Sequence, residues 1–128
     1  MIPATVAIER SGLSLSTDGY GDVAFEVMRG ALARVVSPHA AAITLGTRVF
    51  VTETVFEGLV MGDRPDIVAH ELVHVDQWRT DGWRFFVRYL GAYARVRVLG
   101  VPHLAAYRAI PYEAEAFAVA EAFVDELT

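Results

Sequence analysis

The sequence predicts a single, mostly helical α+β domain spanning residues 1–128. Three observations carry that expectation. The chain has 128 residues with 54% hydrophobic and only 21% charged side chains, which suits one compact core and leaves no room for a second. Two short runs rich in β-formers, 41–45 and 48–52, meet at Gly46-Thr47, and a Gly-first two-residue loop suits a tight hairpin. Four longer segments carry apolar residues at helical spacing.

In chain order, Ala-Thr-Val-Ala-Ile at 4–8 reads as a short first strand, and the Ser/Gly/Asp-rich stretch 11–22 as loop. Residues 23–36 read as an amphipathic helix, with Val27, Ala31, Met28 and Leu32 inside and Glu26, Arg29 and Arg34 outside; Ser37-Pro38 ends it. After the hairpin, 53–62 reads as a connecting loop whose Val55, Phe56, Leu59, Val60 and Met61 cover the core or line a cleft. A helix follows over 64–81, opened by a capping Asp63 with Pro65 in its first turn and stopped by Asp81-Gly82. Residues 83–99 read as a helix with Phe86, Tyr89, Leu90, Tyr93 and Val96 on its core side and a stripe of Arg84, Arg88, Gly91 and Arg95 facing solvent or an acidic substrate or partner. Gly100-Val101-Pro102 breaks it, 103–110 connects, and Pro111 opens a last helix to about residue 127.

The helix over 64–81 contains His70-Glu71-Leu72-Val73-His74, a His-Glu-x-x-His pattern. Successive helical residues turn by about 100°, so the two histidines lie one turn apart with both imidazoles on one face. That is a two-nitrogen metal site. Val68, Leu72 and Val75 cluster on the opposite side, which lets the histidine face, with Gln77, look into a cleft. Glu71 lies about 100° further round, placed to act as a general base on a water at the metal without being a ligand itself. At this composition the pattern arises by chance in roughly 1 in 100 chains of this length.

A catalytic zinc takes three protein ligands and keeps an open position for water. With no Cys in the chain, the third ligand must be His or a carboxylate. The last helix supplies it. Glu113 falls in the middle of the apolar stripe of Ala116, Phe117, Ala120 and Val124, whereas Glu115 points almost oppositely. A carboxylate on a buried face is costly unless it meets a cation, so Glu113 is the better candidate of the two.

The strings His-Glu-Leu-Val-His-Val-Asp-Gln at 70–77 and Ile-Pro-Tyr-Glu-Ala-Glu-Ala at 110–116 resemble those of the gluzincin zinc metallopeptidases, and the chain's size is similar to the minimal bacterial members called minigluzincins. The resemblance covers roughly residues 40–125. It implies a zincin-like fold, with an active-site helix, a following glutamate helix and a small sheet whose edge strand binds extended substrate by main-chain pairing. It also implies a small residue three positions after the third ligand and an acidic one four positions after it. Ala116 fits and Phe117 does not, which leaves Asp66, Gln77 and Asp81 as substitutes to orient the histidines.

The expected function is therefore zinc-dependent hydrolysis of a peptide bond, with zinc on His70, His74 and Glu113, Glu71 as base, and Tyr107, Tyr112 or His103 as donor to the oxyanion. The rivals are a zinc-binding interaction or regulatory domain without turnover, and a helical interaction protein whose motif is accidental. A net charge of −5 argues against nucleic acid as a partner. The partner expected instead is a peptide or protein substrate. No membrane span or secretory signal is visible, from which a cytoplasmic location is expected.

Overall fold

A computed structural model describes residues 1–127. In chain order the elements are β1 (Ile2–Pro3), α1 (Ala4–Ser11), β2 (Ala24–Val27), α2 (Gly30–Val36), β3 (Ala42–Leu45), β4 (Arg48–Val51), α3 (Glu53–Met61), α4 (Pro65–Asp81), α5 (Trp83–Val98), α6 (His103–Ala109) and α7 (Pro111–Asp125). The small, mostly helical α+β class is as expected.

The sheet runs β1-β2-β4-β3, with β2 and β4 parallel at its centre and β1 and β3 antiparallel at its edges. Phe25 pairs with Val49 and Val27 with Val51. Phe25, Val49 and Val51 are fully buried and join Ile8 of α1, Leu59 of α3, and Val68, Leu72 and Val75 of α4 in one core. Each such side chain contributes about 1.5–3 kcal/mol by leaving water. The middle of helix α4 is enclosed on every side: all eight residues from Val68 to Val75 are buried. Its apolar side meets the sheet and α1, and its histidine side is closed by α7.

Four segments depart from the sequence reading. Residues 4–8 form helix, not strand, because Ala4, Ala7, Ile8 and Ser11 bury one helical face against α3 and α4. Residues 23–36 split into β2 and α2: Ala24–Val27 pairs with β4, and Gly30, at φ 58, opens α2 after Met28 and Arg29. The loop expected over 53–62 is α3. Thr52 Oγ1 accepts from Val55 N at 3.3 Å as its N-cap, Gly62 at φ 77 ends it, and Val55 and Leu59, one turn apart, are its buried face. The connection over 103–110 is α6, anchored by buried Ala106.

Two finer expectations also change. Asp63 does not cap α4: Arg64 holds the N-cap position and grips Asp66 through two hydrogen bonds of 3.0 Å. On α5 the one buried aromatic is Phe85, while Phe86 and Leu90 stand about half exposed. The hairpin, α4, α5, α7 and the Gly82 stop lie where they were expected.

Candidate metal centre

Helices α4 and α7 pack along their lengths, and that contact builds the site. Pro111 occupies the first turn of α7, where its missing N–H costs nothing, and sets the phase of the helix so that Glu113 points inward at 0% exposure. Glu115, two residues on, is exposed and meets Gln77 Nε2 at 3.4 Å.

His70 and His74 present their rings 4.9 Å apart, edge to face, each only 6% exposed. Glu113 Oε1 lies 3.1 Å from His70 Nε2 and is in still closer contact with His74 Nε2. His70, Glu71 and His74 each offer a ligand atom within 4.8 Å of the others. Two imidazole nitrogens and a carboxylate oxygen this close together must share protons or a cation. Burial opposes charge on His74, but the hydrogen bond to Glu113 and the nearby Glu71 carboxylate outweigh it and hold the imidazole at about 8. Burial pushes Glu113 up, yet the hydrogen bonds from His70 and His74 hold it down to about 2.

Among the described residues one buried side-chain oxygen lacks a well-formed hydrogen bond: Glu113 Oε2. The Tyr107 and Tyr89 phenols reach the Glu113 carboxylate as further donors, and a carboxylate oxygen left without a well-formed hydrogen bond beside two imidazoles is one a divalent cation would take. Two imidazoles with carboxylates, and no thiolate, are a donor set able to hold such an ion.

The surrounding shell is specific. His74 Nδ1 lies 2.7 Å from Gln77 Oε1, and Gln77 Nε2 donates to the Tyr112 carbonyl at 3.0 Å. The carbonyl can only accept, so the amide is oriented and Oε1 takes the Nδ1 proton, which leaves Nε2 to face Glu113. Of the three substitutes for the missing acid, Gln77 is the one in contact. Asp66 is held by Arg64, and Asp81 accepts from the Tyr112 hydroxyl at 2.5 Å. Phe117, in the acid's position, stacks edge to face on His70 at 4.5 Å.

Glu71 is buried at 4% exposure and is held by a residue that sequence reasoning missed. Thr44 Oγ1 donates to Glu71 Oε2 at 2.7 Å from the edge strand β3. Alternation in Ile43-Thr44-Leu45 marks Thr44 as facing away from its neighbours, but nothing in one strand names its partner on α4. Trp78 Nε1 takes the Thr44 carbonyl at 2.9 Å, so that point of the sheet edge is closed to an added strand.

Two cavities flank Glu71. The larger, about 480 Å³, opens on the His70 side between Ala40–Ala42, His103 and Phe117; the smaller, about 160 Å³, lies on the His74 side against Trp78, Phe85 and Tyr89. Tyr107 borders both, and its phenol is pushed up by burial and then by the Glu113 carboxylate, so it stays a hydrogen-bond donor. Tyr89 is raised by the same causes, and its place beside the site was hidden within the aromatic face of α5. His103 borders the larger cavity with its Nδ1 2.6 Å from the Tyr93 hydroxyl, whereas Tyr112 borders neither.

No helix among the described residues is long and apolar enough to cross a membrane. Residues 15–82, just over half of the chain, match the family model of the eCIS core domain, a domain associated with extracellular contractile injection systems. The match includes Thr44, His70, Glu71, His74 and Gln77; Glu113 lies beyond it. No curated protein and no solved structure matches the chain.

Proposed function

The chain belongs to the eCIS core domain family, and from the buried site that its matched region carries we propose that it is a zinc-dependent peptidase of zincin-like architecture. His70, His74 and Glu113 would hold the ion. The observation that carries this reading is the buried Glu113 carboxylate, on which two imidazole nitrogens converge and whose Oε2 has no well-formed hydrogen bond.

Zinc, when bound, supplies a Lewis acid that polarises a peptide carbonyl and makes a water nucleophilic near neutral pH. The chain's own groups do the rest. Glu71, with one oxygen fixed by Thr44 and its carboxylate bordering both cavities, takes a proton from the attacking water and returns it to the departing amine. Gln77 keeps His74 in the tautomer that frees Nε2. Tyr107, protonated and between the cavities, donates to the oxygen that gains negative charge, with Tyr89 as a second donor from α5.

A zinc-binding domain without turnover would have no use for a base set beside the ligands, and Glu71 is held for that position. Metal content and cleavage of a mixed peptide pool, compared between wild type, His70→Ala and Glu71→Gln, test the proposal. Zinc in wild type and Glu71→Gln but not in His70→Ala, with cleavage by wild type alone, supports it. Full cleavage by Glu71→Gln, or a wild type that takes up no zinc, overturns it.

A further inference from the structure

Helix α5 carries two apolar faces, and only one is used. Phe85 points inward, while Trp83, Val87, Leu90, Ala94 and Val98 follow at intervals of four, three, four and four residues along the outer side. A helix turns about 100° per residue, so these five form one stripe. It lies in water: Trp83 is 70% exposed, Val87 56%, Leu90 49% and Val98 85%. A continuous exposed apolar stripe on a helix of a folded domain marks a surface that something covers.

The charges beside the stripe say what covers it. Four of the chain's eleven basic residues, Arg84, Arg88, Arg95 and Arg97, lie on α5, which has no acidic residue, in a chain of net charge −5. Arg84 and Arg95 have no carboxylate partner among the described residues, and Arg88 has only a 3.8 Å approach to Asp81. Gly91 sits between the stripe and the arginines, with nothing within 4 Å of where a side chain would begin, so the flank of the stripe is notched there. Apolar residues recurring every three or four positions, a notch beside them able to receive a knob, and a flank rich in arginine are the complement of a helix with an apolar seam and acidic flanks.

We propose that the outer face of α5 is a docking surface for an acidic amphipathic helix of a partner protein. A second copy docked through the same face would set one arginine row against another. An anionic bilayer would meet a protein of net charge −5. Phe86 and Leu90 also border the smaller cavity, so the docked helix lies along the rim of the site. The proposal does not depend on peptidase activity.

The probe is a synthetic helix of about three heptads with leucine on its seam and glutamate beside it, against the same peptide with lysine in place of glutamate. Binding to the folded protein is followed by calorimetry, with Val87→Glu and the double variant Arg84→Glu/Arg95→Glu checked for unchanged circular dichroism. The expected result is binding of the glutamate peptide at least about tenfold tighter than the lysine peptide, weakening as salt rises, with a loss of about tenfold or more in each variant. Equal or absent binding of the two peptides overturns the proposal. So does a chain that binds phosphatidylserine vesicles but neither peptide, or one that sediments as a dimer dispersed by Val87→Glu.

Discussion

Gln77 Oε1 accepts the Nδ1 proton of His74 at 2.7 Å, and through its own amide Gln77 binds the Tyr112 carbonyl on the facing helix. One side chain therefore orients an imidazole and ties α4 to α7. Gln77→Leu keeps the volume and removes both bonds, and zinc affinity should fall by about 10- to 100-fold in a competition titration. Gln77→Glu, which keeps the acceptor, should lose less. Equal affinity in all three proteins would show that His74 needs no such support.

The site gives the metal-free protein a pH signature. His74 is raised from 6.5 to about 8, so its contribution to stability is complete below pH 6.5 and is lost as pH rises through 8. Glu113 is lowered from 4.5 to about 2, so its contribution is complete above pH 4.5 and is lost as pH falls towards 2. Both are in force only between pH 4.5 and 6.5. In chelator, the stability difference between wild type and Glu113→Gln should shrink by about 1–2 kcal/mol from about pH 6 to about pH 9. A difference that grows over that range would contradict the pairing.

Thr44 and Glu71 share a buried hydrogen bond of 2.7 Å. Thr44→Val leaves the carboxylate oxygen unsatisfied, and unfolding free energy should drop by about 1–3 kcal/mol. Peptide hydrolysis should fall by about 10- to 100-fold with zinc content unchanged, because the base is misplaced while the ligands are untouched. Loss of zinc in this variant would mean that Glu71 is itself a ligand.

Gly62 joins α3 to α4 at φ 77, and a Cβ there would strike the carbonyl of Arg10 in the last turn of α1. Gly62→Ala therefore combines a strained backbone with a collision against main chain that cannot swing aside. Chemical denaturation should show a loss of about 2 kcal/mol or more. An unchanged midpoint would mean that α1 and α3 are free to separate.

How much of this was legible in the sequence depended on how local the determining contact is. Helix α4 carries its own stop and a histidine spacing that is meaningful within one turn, and the inward phase of Glu113 follows from its own apolar stripe. Segments whose form depends on distant partners misled. Ala24–Val27 is a strand because β4, more than twenty residues later, offers it a parallel edge, and its apolar pattern alone fits a helix equally well. The helices at 4–11, 53–61 and 103–109 are short, so their few buried positions barely differ from those of a loop or strand. Thr44 and Tyr89 were missed for the same reason: each meets the site from another element, and no spacing within β3 or α5 records it.

The central claim is that two imidazoles of α4 and one carboxylate of α7 share a zinc ion while Glu71 stands beside it unbound. Anomalous diffraction at the zinc edge from crystals of zinc-loaded protein tests it most directly. The account predicts one peak about 2.0–2.2 Å from His70 Nε2, His74 Nε2 and a carboxylate oxygen of Glu113, with Glu71 still on Thr44. A peak ligated by Glu71 in place of Glu113, or crystals that take up no zinc at this site, would contradict it.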